Sequence, residues 1–436
     1  LTLLVDFPDQ PASQRFPQMT PSAIFDNIYG DGTEIAKQFA PFESLAAYYK
    51  RASEGKLTLR GNVLGFYTFP NNQLTYAPLG AEGDNQILFD MISEALRSFD
   101  DNHDFSQYDN NGDGFIDGLN VLYSGQSGGW SSFWWAYQWS FYVPDAQTTL
   151  FDGKRLGTFT WQRLDPRADD TDFDPQTLIH ETGHLLGLPD LYDYKKNSGL
   201  EGGVGGYDVM DGNVGNPNAF LRWMLDWIEP EIVSGGASES RVLRASGDTS
   251  NADDKAVVIF PDIGQSPFQE FFLIENRFRI GNDGGDSNLP SNGLAIWHVD
   301  ATLDSSGGDF AFSNTDRGGA TAHKLVKLVQ ADGREDIEQI GGGRLDAGDL
   351  YRNGDSLTPS SNPSSAGYDG NATGIRVENI SNDGVVMTAD IGFGGAVARA
   401  NLTAGDASSQ SLSSASVMAG DEVTVRGEIA NTGSAN

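Results

Sequence analysis

The sequence predicts an α/β domain with a mixed sheet and a histidine-bearing helix, then a β-rich region, then the start of a small β-sandwich. Three observations carry that reading. Residues 1–230 alternate strand-like runs with helical periodicity. From 231 to 393, short strand-like pieces alternate with Gly/Asp/Asn/Ser loops, and helical periodicity nearly vanishes. From 394 to 436 a Ser/Ala-rich linker runs into further strand-like pieces.

In chain order, "LTLLVDF" at the start is an apolar run stopped by Pro8 and reads as a strand. "EIAKQFAPFESLAAYYKRAS" and "NQILFDMISEALRSF" read as helices. The second sets Leu88, Met91, Ile92, Ala95, Leu96 and Phe99 at three-and-four spacing, a stripe that faces a core. "KLTLRGNVLGFYTF" and "FIDGLNVLY" read as strands, and the aromatic "WSSFWWAYQWSFYV" as core or cleft wall. Beyond Pro230, "KAVVIF", "FQEFFLIENRF", "GLAIWHVD", "HKLVKLVQA" and "GVVMTADIGF" read as strands. The closing "AGDEVTVRGEIANTGSA" resembles the opening of an immunoglobulin-like module of the CARDB kind, incomplete in this chain.

Composition excludes several partners. Acidic residues outnumber basic ones 61 to 28, a net charge of −33, which repels nucleic acid and anionic lipid and favours divalent cations. No run approaches the ~20 apolar residues that span a bilayer. With no cysteine there is neither a disulfide framework nor thiol chemistry. An acidic, cysteine-free, Gly-rich chain suits a secreted bacterial protein, with any leader or pro-segment outside this sequence. A monomer is expected.

The chemistry concentrates in "LIHETGHLLGLPDLYDY", 178–194. Asp174-Pro175 is a helix start, Gly187 and Pro189 a stop. At about 100° per residue, His180 and His184 lie roughly 40° apart, with Glu181 beside them and Leu178, Ile179, Leu185 and Leu186 on the opposite half. Two imidazoles at this spacing can meet one Zn²⁺ at about 2.0–2.1 Å. Glu181 is then placed to deprotonate a metal-bound water as general base. "HETGHLLGLPD" extends the pattern to H-E-x-x-H-x-x-G-x-x-D: Gly187 permits a left-handed turn, and Asp190 can supply a third ligand. Asp193, Glu201 and Asp208 are acidic alternatives for that place.

The extended motif resembles the metzincin clan of metallopeptidases, and "GGVGGYDVMDGN" resembles its Met-turn, with Met210 as an apolar floor beneath the ion. Tyr207, just before it, is a candidate hydrogen-bond donor to the oxyanion, or a packed turn residue. A closer resemblance runs through "LTLLVDFPDQP", "YYKRASEGKLTLRGNVLGFY", "YDNNGDGFIDGLNVLYSGQSGG", "HETGHLLGLPDLYDY", "GGYDVMDG", "FLIENR" and "GLAIWHVD". In order and over roughly 1–300, these are similar to the immune inhibitor A family, the M6 metallopeptidases. That implies a secreted bacterial zinc endopeptidase acting on proteins or peptides, made as a zymogen. "AFLRWMLDWIEP" departs from the family, which carries a lysine before a "GW" there.

"DNNGDGFID" offers oxygens at loop positions 1, 3, 5, 7 and 9 of an EF-hand-type calcium loop: Asp109, Asn111, Asp113, the Phe115 carbonyl and Asp117. Asn120 replaces the usual glutamate at position 12, so a structural Ca²⁺ site with altered closure is expected, or else an Asp/Asn turn. "DGGDSN" and "GGGRLDAGD" are weaker calcium signals. His298 reads as a satisfied buried histidine, and His103 and His323 carry no case. The rival from another class is a calcium-stabilised adhesin or glycan binder on a protease-like scaffold; an intact Glu181 argues against it.

Overall fold

Strand β1 (Thr2–Asp6) is buried along its whole length because its two faces serve two cores: Leu3 and Val5 enter one, Leu4 the other. It is flanked by β2 (Val63–Thr68) and β3 (Leu119–Tyr123), with β4 (Tyr137–Ser140) and β5 (Thr158–Arg163) beyond, in the order β2-β1-β3-β5-β4. The first three and β5 run parallel; β4 is antiparallel to β5 and ends the sheet. This computed structural model describes residues 1–31, 43–76, 81–167, 172–194, 203–250, 253–261, 267–284, 289–315, 323–338 and 345–394, plus four short strands after 400.

Seven helices are described: α1 (Ala12–Arg15), α2 (Pro21–Tyr29), α3 (Leu45–Ala52), α4 (Ala81–Arg97), α5 (Gln176–Leu185), α6 (Val209–Gly212) and α7 (Ala219–Met224). The α4 stripe Leu88, Met91, Ile92, Ala95 and Leu96 covers one face of the sheet, against Val5, Tyr123 and Trp161. Phe99, past the helix end, is only partly buried at the edge of that core. Helices α2, α3, α5 and α7 cover the other face. Each fully buried Leu, Ile or Phe contributes about 1.5–3 kcal/mol, so both faces must be covered for the sheet to persist. The aromatic run near 130–143 divides: Phe133, Trp134 and Phe141 are core, whereas Trp130, Trp135, Trp139 and Tyr142 face outward.

After Pro230 the chain builds β6 (Glu231–Val233), β7 (Glu239–Arg244), β8 (Ala256–Ile259), β9 (Glu270–Arg277), β10 (Gly293–Asp300), β11 (Val326–Leu328), β12 (Ile375–Glu378) and β13 (Val386–Phe393). One sheet has the order β11-β10-β9-β8-β6, the other β12-β13-β7. Alternation along β9 and β10 decides their neighbours. Phe271, Leu273 and Trp297 join the core under α5 and α7, while Phe272, Ile274 and Ile296 face the small sheet. One apolar cluster therefore draws side chains from both sides of Pro230.

A polar seam runs beside it. Arg277, 2% exposed, donates through Nε and Nη2 to both oxygens of Asp283 at 3.0 and 2.6 Å, and through Nη2 to the Tyr207 carbonyl at 3.0 Å. Asp283 also accepts from the Asn216 amide at 2.9 Å and from the Ser246 hydroxyl. Asn282 donates to the Tyr48 carbonyl on α3 at 3.1 Å. Beyond 394, β14 (Leu402–Ala404) pairs with β17 (Ile429–Asn431), and β15 (Ser411–Leu412) with β16 (Val425–Arg426), all antiparallel. The rest of the expected immunoglobulin-like module lies outside the described residues.

Truncating Asp283 leaves Arg277 with Glu275, 3.5 Å away, as its remaining buried counter-charge and removes its bidentate acceptor. Asp283→Ala should cost about 3–5 kcal/mol in urea denaturation. Adding Arg277→Met together with Glu275→Gln should recover part of the loss, since the guanidinium and its second carboxylate partner are then both gone.

Candidate metal centre

Helix α5 begins one residue later than the sequence suggests. Asp174 accepts from the Gln176 amide at 3.0 Å, and Pro175 stands before the first helical residue. Leu178 and Ile179 are fully buried, but Leu185 and Leu186 are only half-buried because the helix ends beside them. Gly187 closes the helix at φ +91°, the left-handed region that a side chain makes costly. The Leu188 amide returns to the Gly183 carbonyl at 3.0 Å, and the chain turns back beneath His180 and His184.

That return assembles the cluster. Both Nε2 atoms, of His180 and of His184, lie 3.1 Å from the same oxygen, Asp190 Oδ1. The imidazoles stand nearly perpendicular, 87° between planes. Each is held from behind: His180 Nδ1 donates to the Val209 carbonyl at 2.7 Å, and His184 Nδ1 to the Leu188 carbonyl at 2.8 Å. Since a carbonyl can only accept, the proton of a neutral ring sits on Nδ1, and Nε2 presents its lone pair to the cluster. Two imidazole nitrogens and one carboxylate are a zinc donor set, and three ligands at about 2.0 Å from one ion would stand roughly 3.3 Å apart in a tetrahedron. The observed 3.1 Å separations from Asp190 fit that group.

Around the cluster, burial and charge set the proton affinities. Burial pushes the Glu181 carboxyl up, partly countered by the two histidines and by the backbone amide of Gln138 on β4. Burial also raises Asp190, but hydrogen bonds from His180 and His184 outweigh it and hold the carboxyl far below the usual range. For His180, burial lowers the imidazole while Asp190 and Glu181 raise it, and the net direction is upward.

Met210 is fully buried directly beneath α5: a Cβ added at Gly183 would lie 2.5 Å from its sulfur. Of the alternative ligands, Asp208 caps α6 instead. It accepts from the Met210 amide at 2.8 Å and from the Asn218 amide at 2.6 Å, and burial pushes it up to about 6. Asp193 is buried but is not part of the converging cluster, and Glu201 lies outside the described residues. Tyr207 packs into the core, and its carbonyl receives Arg277.

Two tyrosines that the motif does not flag stand on the same loop. The Tyr194 hydroxyl donates to Asp190 Oδ2 at 2.5 Å, and the Tyr192 ring lies 6.1 Å from that of His180. Their only signal in the sequence was position, two and four residues past Asp190.

In the other acidic loop, carboxylate oxygens of Asp109, Asp113 and Asp117 come within 4.8 Å of one another. Asp109 accepts from the Gly112 and Gly114 amides at 2.7 and 3.1 Å and from Lys154 Nζ at 2.6 Å. Asn111 accepts from the Asp113 amide at 2.9 Å, and Phe115 adjoins Arg155 in an isolated bridge. Asn120 cannot close this loop because it sits in β3, buried, accepting from Thr160 at 2.9 Å. A third acidic group, Asp332, Asp346 and Asp349, falls in "GGGRLDAGD" and nearby. His298 is a satisfied histidine, bonded to Glu270 at 2.7 Å and stacked between Phe272 and Tyr368.

Because Tyr194 holds the third donor by its outer oxygen, Tyr194→Phe should weaken Zn²⁺ binding about 10- to 100-fold. Competition against a chromophoric chelator measures this directly; unchanged affinity would detach Tyr194 from the site.

Among known proteins, the profile of the immune inhibitor A peptidase M6 catalytic domain matches residues 1–218. Immune inhibitor A of Bacillus thuringiensis subsp. alesti is 29% identical over 196 residues, 38% of this chain and 28% of that protein. The pre-pro-metalloprotease PrtV of Vibrio cholerae serotype O1 (strain M66-2) is 24% identical over 274 residues, 53% of this chain and 30% of that protein. The chain thus spans less than a third of the length of these relatives. With half of its residues matched, and His180, Glu181, His184 and Asp190 all in that half, the chain belongs to the immune inhibitor A peptidases, the metallopeptidase family M6.

Proposed function

We propose that this chain is a zinc-dependent endopeptidase that hydrolyses internal peptide bonds of proteins. The observation that carries the reading is the convergence of His180, His184 and Asp190 on one point with Glu181 buried beside them. His180, His184 and Asp190 hold the ion, and Met210 floors it. Bound zinc would supply Lewis-acid chemistry, polarising the scissile carbonyl and acidifying the attacking water. Glu181 takes the water's proton on its carboxylate and passes it to the leaving amine nitrogen. Its raised proton affinity brings it closer to the solution pH at which it must both accept and donate. β4, last in its sheet and tied to Glu181 through Gln138, offers an edge along which an extended peptide can lie.

The sheet order with one antiparallel edge, the Gly187 turn and the placement of Met210 under α5 support a metzincin-like catalytic domain. Residues 1–230 form that domain in this reading. Residues 231–393 continue its packed unit through the shared core, and 394–436 begin an immunoglobulin-like module. Secretion fits the acidic, cysteine-free composition, and no helix among the described residues is long and apolar enough to cross a membrane. Calcium would stabilise the Asp109–Asp117 loop. Protein substrates and a monomeric state complete the reading.

Purified Glu181→Gln protein should retain its zinc yet digest casein at least about 100-fold more slowly. Equal digestion would sink the mechanism, and a wild-type protein with neither zinc nor proteolysis would favour the adhesin reading. For the calcium loop, millimolar Ca²⁺ should raise the melting temperature of wild type but not of Asp113→Ala, read by scanning calorimetry with zinc held constant.

A further inference from the structure

The two tyrosines after Asp190 are held differently, and the difference assigns them different work. Tyr194 has its hydroxyl on Asp190 Oδ2 at 2.5 Å. Tyr192 is half-buried, its ring 6.1 Å from that of His180 and 5.3 Å from that of Tyr194. The Trp130 side chain is hydrogen-bonded to the Tyr192 hydroxyl. An indole N–H can only donate, so the phenol oxygen accepts, and its own proton is left for another acceptor. Burial first, then the neighbouring charges of Asp190 and Glu181, keep that proton on the phenol. Trp130 is 55% exposed and leans edge-on against Tyr194 at 5.6 Å.

We propose that Tyr192 is a further catalytic residue, whose hydroxyl donates a hydrogen bond to the scissile carbonyl oxygen as negative charge grows there. The proposal rests on the peptidase reading above. No covalent bond forms at Tyr192 and its proton is not transferred. Trp130 is a positioning residue, fixing the phenol oxygen so that its proton points into the cleft before substrate arrives. A donor preorganised in this way stabilises the transition state more than the bound substrate, and so acts on kcat. The sequence suggested Tyr207 for this role. Tyr207 is buried among core side chains, and its carbonyl receives Arg277.

The test compares Tyr192→Phe, Tyr207→Phe and Trp130→Phe in the full chain with zinc content measured for each. Tyr192→Phe should lower kcat about 100-fold with KM little changed and zinc retained. Its affinity for a phosphinic peptide, which mimics the tetrahedral transition state, should fall in parallel with kcat/KM. Affinity for uncleaved peptide, measured on the Glu181→Gln background, should stay constant. Tyr207→Phe should leave kcat unchanged, and Trp130→Phe should lower it several-fold. Wild-type kcat or undiminished phosphinic-peptide affinity in Tyr192→Phe overturns the proposal, as does a loss that tracks lost zinc. If Tyr192→Phe does not fold, Trp130→Phe decides, and an unchanged kcat there overturns it. A wild-type protein that cleaves casein while Tyr192→Phe matches it refutes only this inference; one that holds no zinc and cleaves nothing refutes the peptidase reading with it.

Discussion

The two hydrogen bonds from imidazole Nδ1 to backbone carbonyl constrain everything around the site. His180 needs the Val209 carbonyl and His184 the Leu188 carbonyl, so the turn ahead of Met210 and the turn after Gly187 must both dock on α5. Each requirement propagates. The Leu188 carbonyl arrives only if the helix stops in a left-handed residue, which Gly187 supplies. The Val209 carbonyl arrives only if α6 is capped and seated, which Asp208 does by collecting the Met210 and Asn218 amides. Close approach also requires the missing Cβ of Gly183, where Met210 sulfur fills the space. The orientation of the two imidazoles is a backbone property, so it survives the side-chain motions that loosen a cluster built on surface residues.

The turn that presents Tyr207 and Asn216 is gripped in addition from beyond Pro230. Arg277 on β9 reaches the Tyr207 carbonyl while Asp283 takes the Asn216 amide, and Asn282 reaches back to α3. Arginine suits that place because its planar fork meets a carboxylate and a carbonyl together, and its charge is compensated within the seam. The motif "FLIENR" thus has a mechanical role: its arginine braces the loop under α5 from a different sheet. A buried ion pair contributes less to net stability than to fixing which arrangement is adopted.

Much of the fold was legible because periodicity and punctuation agree. Gly187 and the Leu88-to-Leu96 stripe each did in the structure what their local chemistry implied. The two histidines came together with Asp190 for the same reason, since four residues of helix and one left-handed turn have little freedom. What was illegible depends on tertiary partners. Leu185 and Leu186 read as part of an apolar half, yet are half-exposed where the chain reverses. Asn120 counts as loop position 12 in sequence but belongs to β3, because strand pairing with β5 claims it first. Tyr192 and Tyr194 carry no pattern of their own; only the folded turn brings them against His180 and Asp190. Nor could the aromatic run be divided into core and surface until β4 fixed which side chains point inward.

The lysine beside the Asp109 loop has a consequence for how that loop answers its surroundings. Lys154 places an ammonium 2.6 Å from the carboxylate that would also be the first oxygen ligand of calcium. The loop therefore carries a tethered monovalent counterion of its own, and several backbone amides already organise Asp109 around it. A divalent ion entering there would have to displace that ammonium, a competition that ionic strength and calcium activity would set together. With Lys154 in place the loop is organised by a contact distant in sequence, and any metal loading would be a separate event.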